Sequence, residues 1–235
     1  MFAFAVWDRQ NSTLTLGRDR LGEKPLYYGW QGQGNAAVFL FGSELKALRA
    51  HQAFESKINR GALCLQLRHN YIPAPYSIYD GISKLLPGNL LTLSLHRPEP
   101  KVWAYWSGAK VAQSGVANTF MGNYDQAINE LEVLLKDAVC KQMMADVPLG
   151  AFLSGGVDSS TIVALMQAQS SQPIKTFTIG FNEDGYNEAV HAKEVARHLG
   201  TDHTELYVTD EQVRSVIPLL STLYDEPKRL IVQSG

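Results

Sequence analysis

The residues with the clearest capacity for chemistry form one short run, Ser154-Gly-Gly-Val-Asp-Ser-Ser160. This run follows an apolar segment, residues 147–153, with the character of a buried strand, and it precedes residues 161–166, which have helical character. Paired glycines let the backbone turn with no Cβ in the way of a ligand, and the free N–H groups of the next helix point at the same place. Three serine hydroxyls can donate to phosphate oxygens, and the Asp158 carboxylate can hold a magnesium ion that bridges them. The run therefore predicts a phosphate-binding loop.

A purely structural role is the alternative for these residues, because Ser and Asp side chains also cap glycine turns. Ser-Gly-Gly alone would favour that alternative, whereas the complete run between a strand and a helix favours the phosphate site. The loop has no Gly-Lys-Ser/Thr and is therefore not a Walker A loop. It is not a nucleophile elbow either, because Phe152 stands two positions before Ser154, where that motif has glycine.

Composition narrows the class of protein. Of the 235 residues, 45% are apolar, and 21 basic against 23 acidic residues give a formal net charge of −2. That balance supplies no field to gather nucleic acid or anionic lipid, so we expect no nucleic-acid and no membrane partner. No run approaches the roughly 20 apolar residues of a membrane span, and Cys64 and Cys140 indicate neither a disulfide framework nor a metal cluster. We expect a globular, cytoplasmic protein.

The first part of the chain has the pattern of an antiparallel β structure. From residue 2 to about residue 42, short apolar runs alternate with turn residues, which predicts a meander. A short helix capped by Ser43, a second helix capped by Asn59 and a strand over 90–95 follow. Residues 109–122 are small and polar without a hydrophobic period, so we place the domain boundary there and divide the chain into domains 1–112 and 113–235.

Helices and strands alternate in the second part, which carries the loop. Asn123 and Gln126 have the spacing of a capping box and begin a predicted helix. After the phosphate loop and its helix, we expect a strand over 175–181, a helix over 187–199 and a strand over 203–208. This alternation predicts a parallel sheet with flanking helices.

The loop with the residue before it, 153–160, closely resembles the pyrophosphate-binding loop of the ATP pyrophosphatase superfamily. Alone, it does not separate asparagine synthetases from GMP synthetases or tRNA thiolases. The run Arg18-Asp-Arg-Leu-Gly-Glu-Lys-Pro-Leu-Tyr-Tyr-Gly29 is similar to the second half of the glutaminase domain of glutamine-hydrolysing asparagine synthetases. Further segments resemble the same family, in the glutaminase domain at 2–8, 42–47, 81–88 and 105–106, and in the synthetase domain at 146–150, 176–181 and 198–203. The resemblance covers about residues 1–227.

The resemblance implies an α/β fold overall, in which the C-terminal half of an antiparallel, β-rich Ntn-type glutaminase domain precedes the first part of a Rossmann-like parallel sheet with flanking helices. It implies a ligase that uses ATP and Mg²⁺. The parent reaction converts ATP, aspartate and glutamine to asparagine, glutamate, AMP and pyrophosphate, through β-aspartyl-AMP that glutamine-derived ammonia attacks. Related enzymes of this layout act on other carboxylates, and the family implies a homodimer for the full-length protein.

The resemblance also implies roles for individual residues. Pyrophosphate and its magnesium are assigned to Ser154, Gly155, Gly156, Val157, Asp158, Ser159 and Ser160, with Asp158 as the metal ligand. Leu153 and Ile179 occupy positions where the family contacts adenine. For these two residues, core packing at strand ends is the alternative that the residue types favour.

Some parts of the family pattern have no counterpart here. The family's glutaminase nucleophile is an N-terminal cysteine, whereas this sequence begins Met1-Phe2, and neither Cys64 nor Cys140 adjoins a terminal amine. After Pro227 the sequence departs from the family pattern. We therefore assign no catalytic residue and expect a fragment with impaired or no activity. A non-catalytic remnant is the alternative.

Two other groups of residues have simpler interpretations. Arg18, Asp19 and Arg20 with Glu23 and Lys24 predict a turn that is solvated or fixed by ion pairs. The histidines at 191, 198 and 203 lack metal-ligand spacing, so we expect them at the surface. The two lone cysteines are expected to be buried and structural.

Overall fold

The computed structural model describes residues 1–181 and 188–227, and the chain divides into two compact units. Unit 1 comprises Met1–Thr119 together with Leu219–Gly235, and unit 2 comprises Phe120–Pro218. The chain therefore leaves unit 1 once and returns to it after completing unit 2. Within the described ranges, no helix combines the length and the apolar character needed to cross a membrane.

Unit 1 is built mainly from antiparallel strands. Its elements up to residue 119 are β1 (Ala3–Asp8), β2 (Thr13–Arg18), β3 (Tyr27–Gln31), β4 (Val38–Gly42), α1 (Leu45–Arg49), α2 (Arg60–His69), β5 (Ile82–Lys84), β6 (Asn89–Ser94), β7 (Arg97–Ala104) and α3 (Gly108–Ala117). Two sheets result, with strand orders β1-β2-β6-β7 and β4-β3-β5, and all their pairings are antiparallel. The prediction of one continuous meander is therefore wrong, because β3 pairs with β4 and β5 rather than with β2.

Gly29 explains why β5 can lie beside β3. A Cβ atom at this position would stand only 1.8 Å from the carbonyl oxygen of Gly81, so no other residue permits this approach. One hydrophobic cluster forms around Leu16 and Leu91, and a second forms around Leu45 and Tyr79. The first cluster also receives Tyr28 of β3 and Phe39 of β4, so residues of both sheets pack into it.

Helix capping in unit 1 agrees with the sequence at one place and differs at another. The Asn59 side chain accepts the N–H of Ala62 at 2.9 Å and begins α2, as predicted. Helix α1, in contrast, has Glu44 rather than Ser43 at its N-cap, and no side chain of its own caps it. The stretch 109–122, in which we place the domain boundary, is in large part the helix α3, which the Ser107 hydroxyl caps.

Unit 2 is a parallel sheet with helices. Its elements are α4 (Tyr124–Gln142), β8 (Gly150–Phe152), α5 (Val157–Ala168), β9 (Lys175–Phe181), α6 (Ala189–Leu199), β10 (Asp202–Val208) and α7 (Asp210–Val216), after which the chain returns to unit 1 with α8 (Leu220–Leu223). The strand order is β10-β9-β8 and both pairings are parallel. The predicted capping box of Asn123 and Gln126 begins α4. The α/β fold class, with antiparallel strands before a parallel sheet and its helices, is confirmed.

The sheet of unit 2 is covered on one face and open on the other. Leu153 is buried against Val163 of α5 and against Ala192 and Ala196 of α6. On β9, Thr176 and Thr178 are buried while the alternate residues are exposed. The exposed apolar residues of the strands, called the open face from here on, are Phe152, Phe177, Ile179, Phe181 and Leu206.

Three expectations about single residues are wrong. Cys64 on α2 and Cys140 on α4 are free and exposed rather than buried. His203 is half-buried rather than at the surface, because β10 directs its ring toward Thr176, whose hydroxyl oxygen lies 2.9 Å from His203 Nδ1. The start of the helix predicted from residue 187 falls outside the described residues, and α6 begins at Ala189.

Candidate functional site

The loop between β8 and α5 is anchored at its start by β9. The N–H of Leu153 donates to the carbonyl oxygen of Phe177 at 2.9 Å, and the hydroxyl of Thr178 donates to the carbonyl oxygen of Leu153. Leu153 itself is 1% exposed and packs with Val163. The main chain therefore enters the loop from a fixed position at the carboxyl end of the sheet.

The two glycines of the loop differ in backbone conformation and in the space around them. Gly155 has a φ of +78°, and a Cβ there would stand 2.8 Å from the N atom of Ala192 and 2.9 Å from the Cβ of His191. Gly156 has an ordinary φ of −74°, and the nearest atom to an added Cβ is the Ser154 hydroxyl oxygen at 3.4 Å. Gly155 thus lets the loop pack against α6, whereas Gly156 leaves open space where a ligand would approach.

Helix α5 begins without a side-chain cap. Gly156 at its N-cap has no side-chain acceptor, and its carbonyl oxygen accepts the N–H of Ser160 at 3.1 Å. Helix geometry then leaves the N–H groups of Val157, Asp158 and Ser159 without an acceptor in the helix. These amides, at the positive end of a 12-residue helix, form the anion-attracting part of the loop.

The serines of the loop form a small hydrogen-bonded network. The hydroxyl oxygens of Ser154 and Ser159 are 2.9 Å apart, and Ser159 Oγ accepts the Ser154 N–H at 3.2 Å. Ser154 Oγ accepts the Gly156 N–H at 3.4 Å. Ser160 Oγ is buried and has no hydrogen-bond partner among the described residues. The loop therefore contains both a closed network and one polar group that nothing in the described chain satisfies.

A cavity of about 260 Å³ adjoins the loop. It brings together four of the predicted site residues, Leu153, Ser154, Ser159 and Ile179. The complete lining consists of Phe152, Leu153, Ser154, Ser159, Phe177, Thr178, Ile179 and Glu188. Gly155, Gly156, Val157, Asp158 and Ser160 do not line it, although they continue the same loop. Core packing describes Leu153 correctly, but Ile179 is 49% exposed and faces the cavity side of the sheet.

The donor set fits a magnesium ion that arrives with phosphate and does not fit a dedicated metal cage. Within the described ranges, no group of three or more His, Cys, Asp or Glu side chains could hold a metal ion. Asp158, exposed in the first turn of α5, is the single carboxylate of the loop. Mg²⁺ commonly binds through one or two carboxylates while substrate phosphates and water supply its other ligands.

Thr178 and Glu188 are lining residues that the sequence did not single out. Thr178 is buried on β9 and Glu188 directly precedes α6. Their separation from the loop in sequence, by 18 and 28 residues from Ser160, conceals them from any local motif. The available signal was the alternation of strands and helices, which predicts a parallel sheet. In such a sheet, Thr178 on β9 and Glu188 before α6 lie toward the carboxyl end.

In unit 1, the cluster at residues 18–24 forms a turn held mainly by hydrogen bonds to the main chain, and its Glu23 carboxylate lies 3.9 Å from the N-terminal ammonium. Asp19 is 4% exposed, and its carboxylate accepts the N–H groups of Glu23 at 2.9 Å and Lys24 at 3.0 Å. The Arg18 guanidinium donates to the carbonyl oxygens of Lys24, Gly22 and Leu85. Burial alone would raise the pKa of the Asp19 carboxyl, but the N–H groups of Lys24, Glu23 and Phe2 outweigh it and lower the pKa to about 2. This cluster is structural.

Comparison with known proteins assigns the two parts of the chain to a class. A family model described as Glutamine amidotransferase domain matches residues 1–106, and one described as Asparagine synthase matches residues 130–233. The chain therefore combines an amidotransferase part with a synthase part.

Curated relatives narrow that class to one family. A Methanocaldococcus jannaschii protein with the provisional name asparagine synthetase (glutamine-hydrolyzing) 2 is 37% identical over 97% of this chain and 42% of its own length. Asparagine synthetase (glutamine-hydrolyzing) 3 of Bacillus subtilis is 34% identical over 80% of this chain and 30% of its own length. The human asparagine synthetase (glutamine-hydrolyzing) is 30% identical over 90% of this chain and 36% of its own length. The chain belongs to the glutamine-hydrolysing asparagine synthetase family, and it spans less than half the length of these relatives.

Proposed function

We propose that the chain carries the ATP-binding loop of a glutamine-dependent asparagine synthetase, a carbon–nitrogen ligase of amino-acid biosynthesis that works in the cytoplasm. In the proposed reaction, ATP adenylates the side-chain carboxylate of aspartate and releases pyrophosphate. Ammonia then attacks β-aspartyl-AMP to give asparagine and AMP. The observation that carries the proposal is the uncapped start of α5, beside a cavity, in a loop with the family's sequence.

The loop residues have separate parts in this proposal. The N–H groups of Val157, Asp158 and Ser159 and the hydroxyls of Ser154, Ser159 and Ser160 hold the β- and γ-phosphates. These donors stabilise the charge that develops on pyrophosphate as it leaves. A magnesium ion held by Asp158 would neutralise phosphate charge when bound. Ile179 would provide an apolar contact for adenine, whereas Leu153, whose side chain is buried in the core, would contact the nucleotide through its main chain.

The energetics set how tightly the described residues can hold a nucleotide. One helix N-terminus stabilises an anion by about 0.3–2 kcal/mol, whereas micromolar affinity requires about 8 kcal/mol. The loop therefore supplies one side of a site, and we expect the 235-residue chain to bind weakly and to turn over slowly or not at all. The proposed test supplies ammonia directly, so that it measures the synthetase step without glutamine hydrolysis.

The test has a binding arm and an activity arm. In the first, pyrophosphate and Mg-ATP are titrated into isotope-labelled chain, and we expect shifts of the amide resonances of residues 154–160 with a Kd of about 1 mM or weaker. Ser159→Ala should weaken these shifts, whereas Ser170→Ala, a matched serine in the turn after α5, should not. Loop amides that do not respond to either ligand would refute the phosphate site.

The activity arm separates the ligase from its alternatives. Pyrophosphate release is measured with ATP, Mg²⁺ and ammonia in the presence of aspartate or of a panel of other carboxylates. Release that depends on aspartate supports the asparagine synthetase, and release with another acid identifies a related amidotransferase. Loop binding without release for any acid identifies a non-catalytic remnant.

A further inference from the structure

We infer that Asp225 and Glu226 form a latch that attaches the returning end of the chain to unit 1. The two residues follow α8 and lie within the stretch that the Asparagine synthase model matches, yet they belong to the unit that begins with the amidotransferase match. The acidic latch is defined as Asp225 and Glu226 together with the N–H and ammonium groups that donate to their carboxylates. Its role is to attach the end of the chain to unit 1, which goes beyond the proposed function.

Asp225 supplies the cap that α1 lacks. Its Oδ2 accepts the N–H of Leu45 at 2.8 Å and its Oδ1 accepts the N–H of Lys46 at 3.2 Å. The residue at the N-cap of α1, Glu44, makes no capping bond with its own side chain. The first turn of α1 is thus satisfied by a carboxylate 180 residues away in sequence.

Glu226 is held from two directions. Its Oε1 accepts the N–H of Ile78 at 3.0 Å, and its Oε2 lies 2.5 Å from the Nζ of Lys84. The side chains of Lys84 and Glu226 are only 14% and 10% exposed. The same ammonium donates to the carbonyl oxygen of Ile72 at 2.6 Å and stands 5.9 Å from the ring centroid of Tyr27. Each charged atom of this pair therefore has a fixed place.

Burial distinguishes this pair from the surface ion pairs of the chain. Lys136 and Glu132 on α4 also lie close, at 2.6 Å, but their side chains are 44% and 49% exposed. Exposed pairs contribute little, whereas removing one partner of a buried, hydrogen-bonded pair leaves an uncompensated charge and is strongly unfavourable. The Glu226 contact is accordingly difficult to open while the surface pair is not.

The position of the latch in the chain gives it a consequence beyond local stability. The chain leaves unit 1 after Thr119 and re-enters it at Leu219. With the latch closed, unit 2 is attached to unit 1 by two stretches of chain. With the latch open, the returning stretch loses the contacts of Asp225 and Glu226 and retains the weaker one between the Lys46 ammonium and the carbonyl oxygen of Thr222, so the latch restricts the freedom of unit 2.

The two free cysteines provide the first test, because Cys64 belongs to unit 1 and Cys140 to unit 2, and both are exposed. Spin labels on these residues report the distribution of distances between the units. We expect the Asp225→Asn/Glu226→Gln variant to broaden this distribution and Glu132→Gln, the matched surface control, to leave it unchanged. A distribution that is the same in the latch variant and in the unmodified chain overturns the inference.

Hydrogen exchange provides the second test and separates a latch from general stabilisation. Glu226→Gln and Lys84→Met should each accelerate exchange of the Ile78 amide at least about tenfold, and the combined variant should add little to either. The amide of Leu16, in the other cluster of unit 1, should keep its protection. Equal loss of protection at Leu16 and Ile78 would mean that unit 1 simply unfolds more easily, and would overturn the latch. Neither test involves a nucleotide, so failure here leaves the proposed function standing.

Discussion

The hydroxyl oxygens of Ser154 and Ser159 lie 2.9 Å apart across the loop, whereas Ser160, next in sequence, has a buried hydroxyl with no partner among the described residues. Two adjacent serines therefore differ in what they do for the folded chain. Ser159 closes the loop on itself. Ser160 contributes no hydrogen bond that folding alone would require.

Alanine at each of these positions should separate the two roles. Ser159→Ala should lower the free energy of unfolding by about 0.5–1.5 kcal/mol, because it removes the hydrogen bonds to Ser154. Ser160→Ala should change it by less than about 0.5 kcal/mol. Urea unfolding followed by circular dichroism measures both values. An equal loss of stability in both variants would contradict this division.

Alanine at the two glycines should distinguish packing from ligand access. Gly155→Ala places a Cβ against α6 at a φ of +78°, so we expect a loss of about 2 kcal/mol or more in the free energy of unfolding. Gly156→Ala should fold with stability within about 0.5 kcal/mol of the unmodified chain, since its φ is ordinary and its surroundings are open. It should nevertheless weaken the pyrophosphate-induced shifts of the loop amides. Comparable destabilisation by the two substitutions would refute the distinction.

The Asp19 carboxylate should make unit 1 sensitive to acid. Its pKa in the folded chain, about 2, lies below the ordinary value of 3.8, so the stability it contributes is complete above about pH 4 and disappears as the pH falls through 2. Asp19→Asn should cost about 1–3 kcal/mol at pH 7, because the variant loses charge-assisted hydrogen bonds to buried N–H groups. The difference between variant and unmodified chain should shrink between pH 4 and pH 2.

Asp137→Asn provides the control for this pH series. Asp137 is an exposed residue that pairs with Lys141 on α4, and we expect its substitution to have a small effect at every pH. A stability difference for Asp19→Asn that stays constant down to pH 2 would contradict the low pKa.

The open face of unit 2 should cause self-association. Its five apolar residues, of which Phe152 is 78% exposed, lie on one face of the three-stranded sheet, and exposed apolar patches favour association. We expect the chain to bind the dye ANS and to sediment as a concentration-dependent mixture. Leu206→Lys, on the edge strand β10, should reduce both effects, whereas Val190→Lys, at an exposed position of α6, should not. A strictly monomeric chain would contradict this prediction.

The sequence predicted those structural elements that depend on residues close to one another in the chain. The Asn123–Gln126 capping box and the Asn59 cap each satisfy N–H groups three residues away, so their spacing alone identifies them. Strand β9 has the predicted bounds. The loop over residues 154–160, between β8 and α5, was located for the same reason, because its glycines and serines are contiguous.

The sequence did not reveal features that depend on contacts between residues far apart in the chain. Strand β7 contains Pro98 and Pro100, which argue against a strand, but β7 lies at the edge of its sheet, where proline is tolerated. Arg18 was interpreted as part of a turn that is solvated or fixed by ion pairs, yet one of its acceptors is the carbonyl oxygen of Leu85, 67 residues away. No spacing rule reveals such a partner. The burial of His203 likewise depends on Thr176 of the neighbouring strand.

The return of the chain to unit 1 at Leu219 also determines the order in which the protein can assemble during synthesis. Residues 120–218 form a continuous stretch whose sheet pairs strands close in sequence, so this part can fold as soon as it leaves the ribosome. The first turn of α1, by contrast, emerges early and must wait for Asp225 before its amides have an acceptor. Translation therefore delivers the strands of the parallel sheet before it delivers the carboxylate that caps α1.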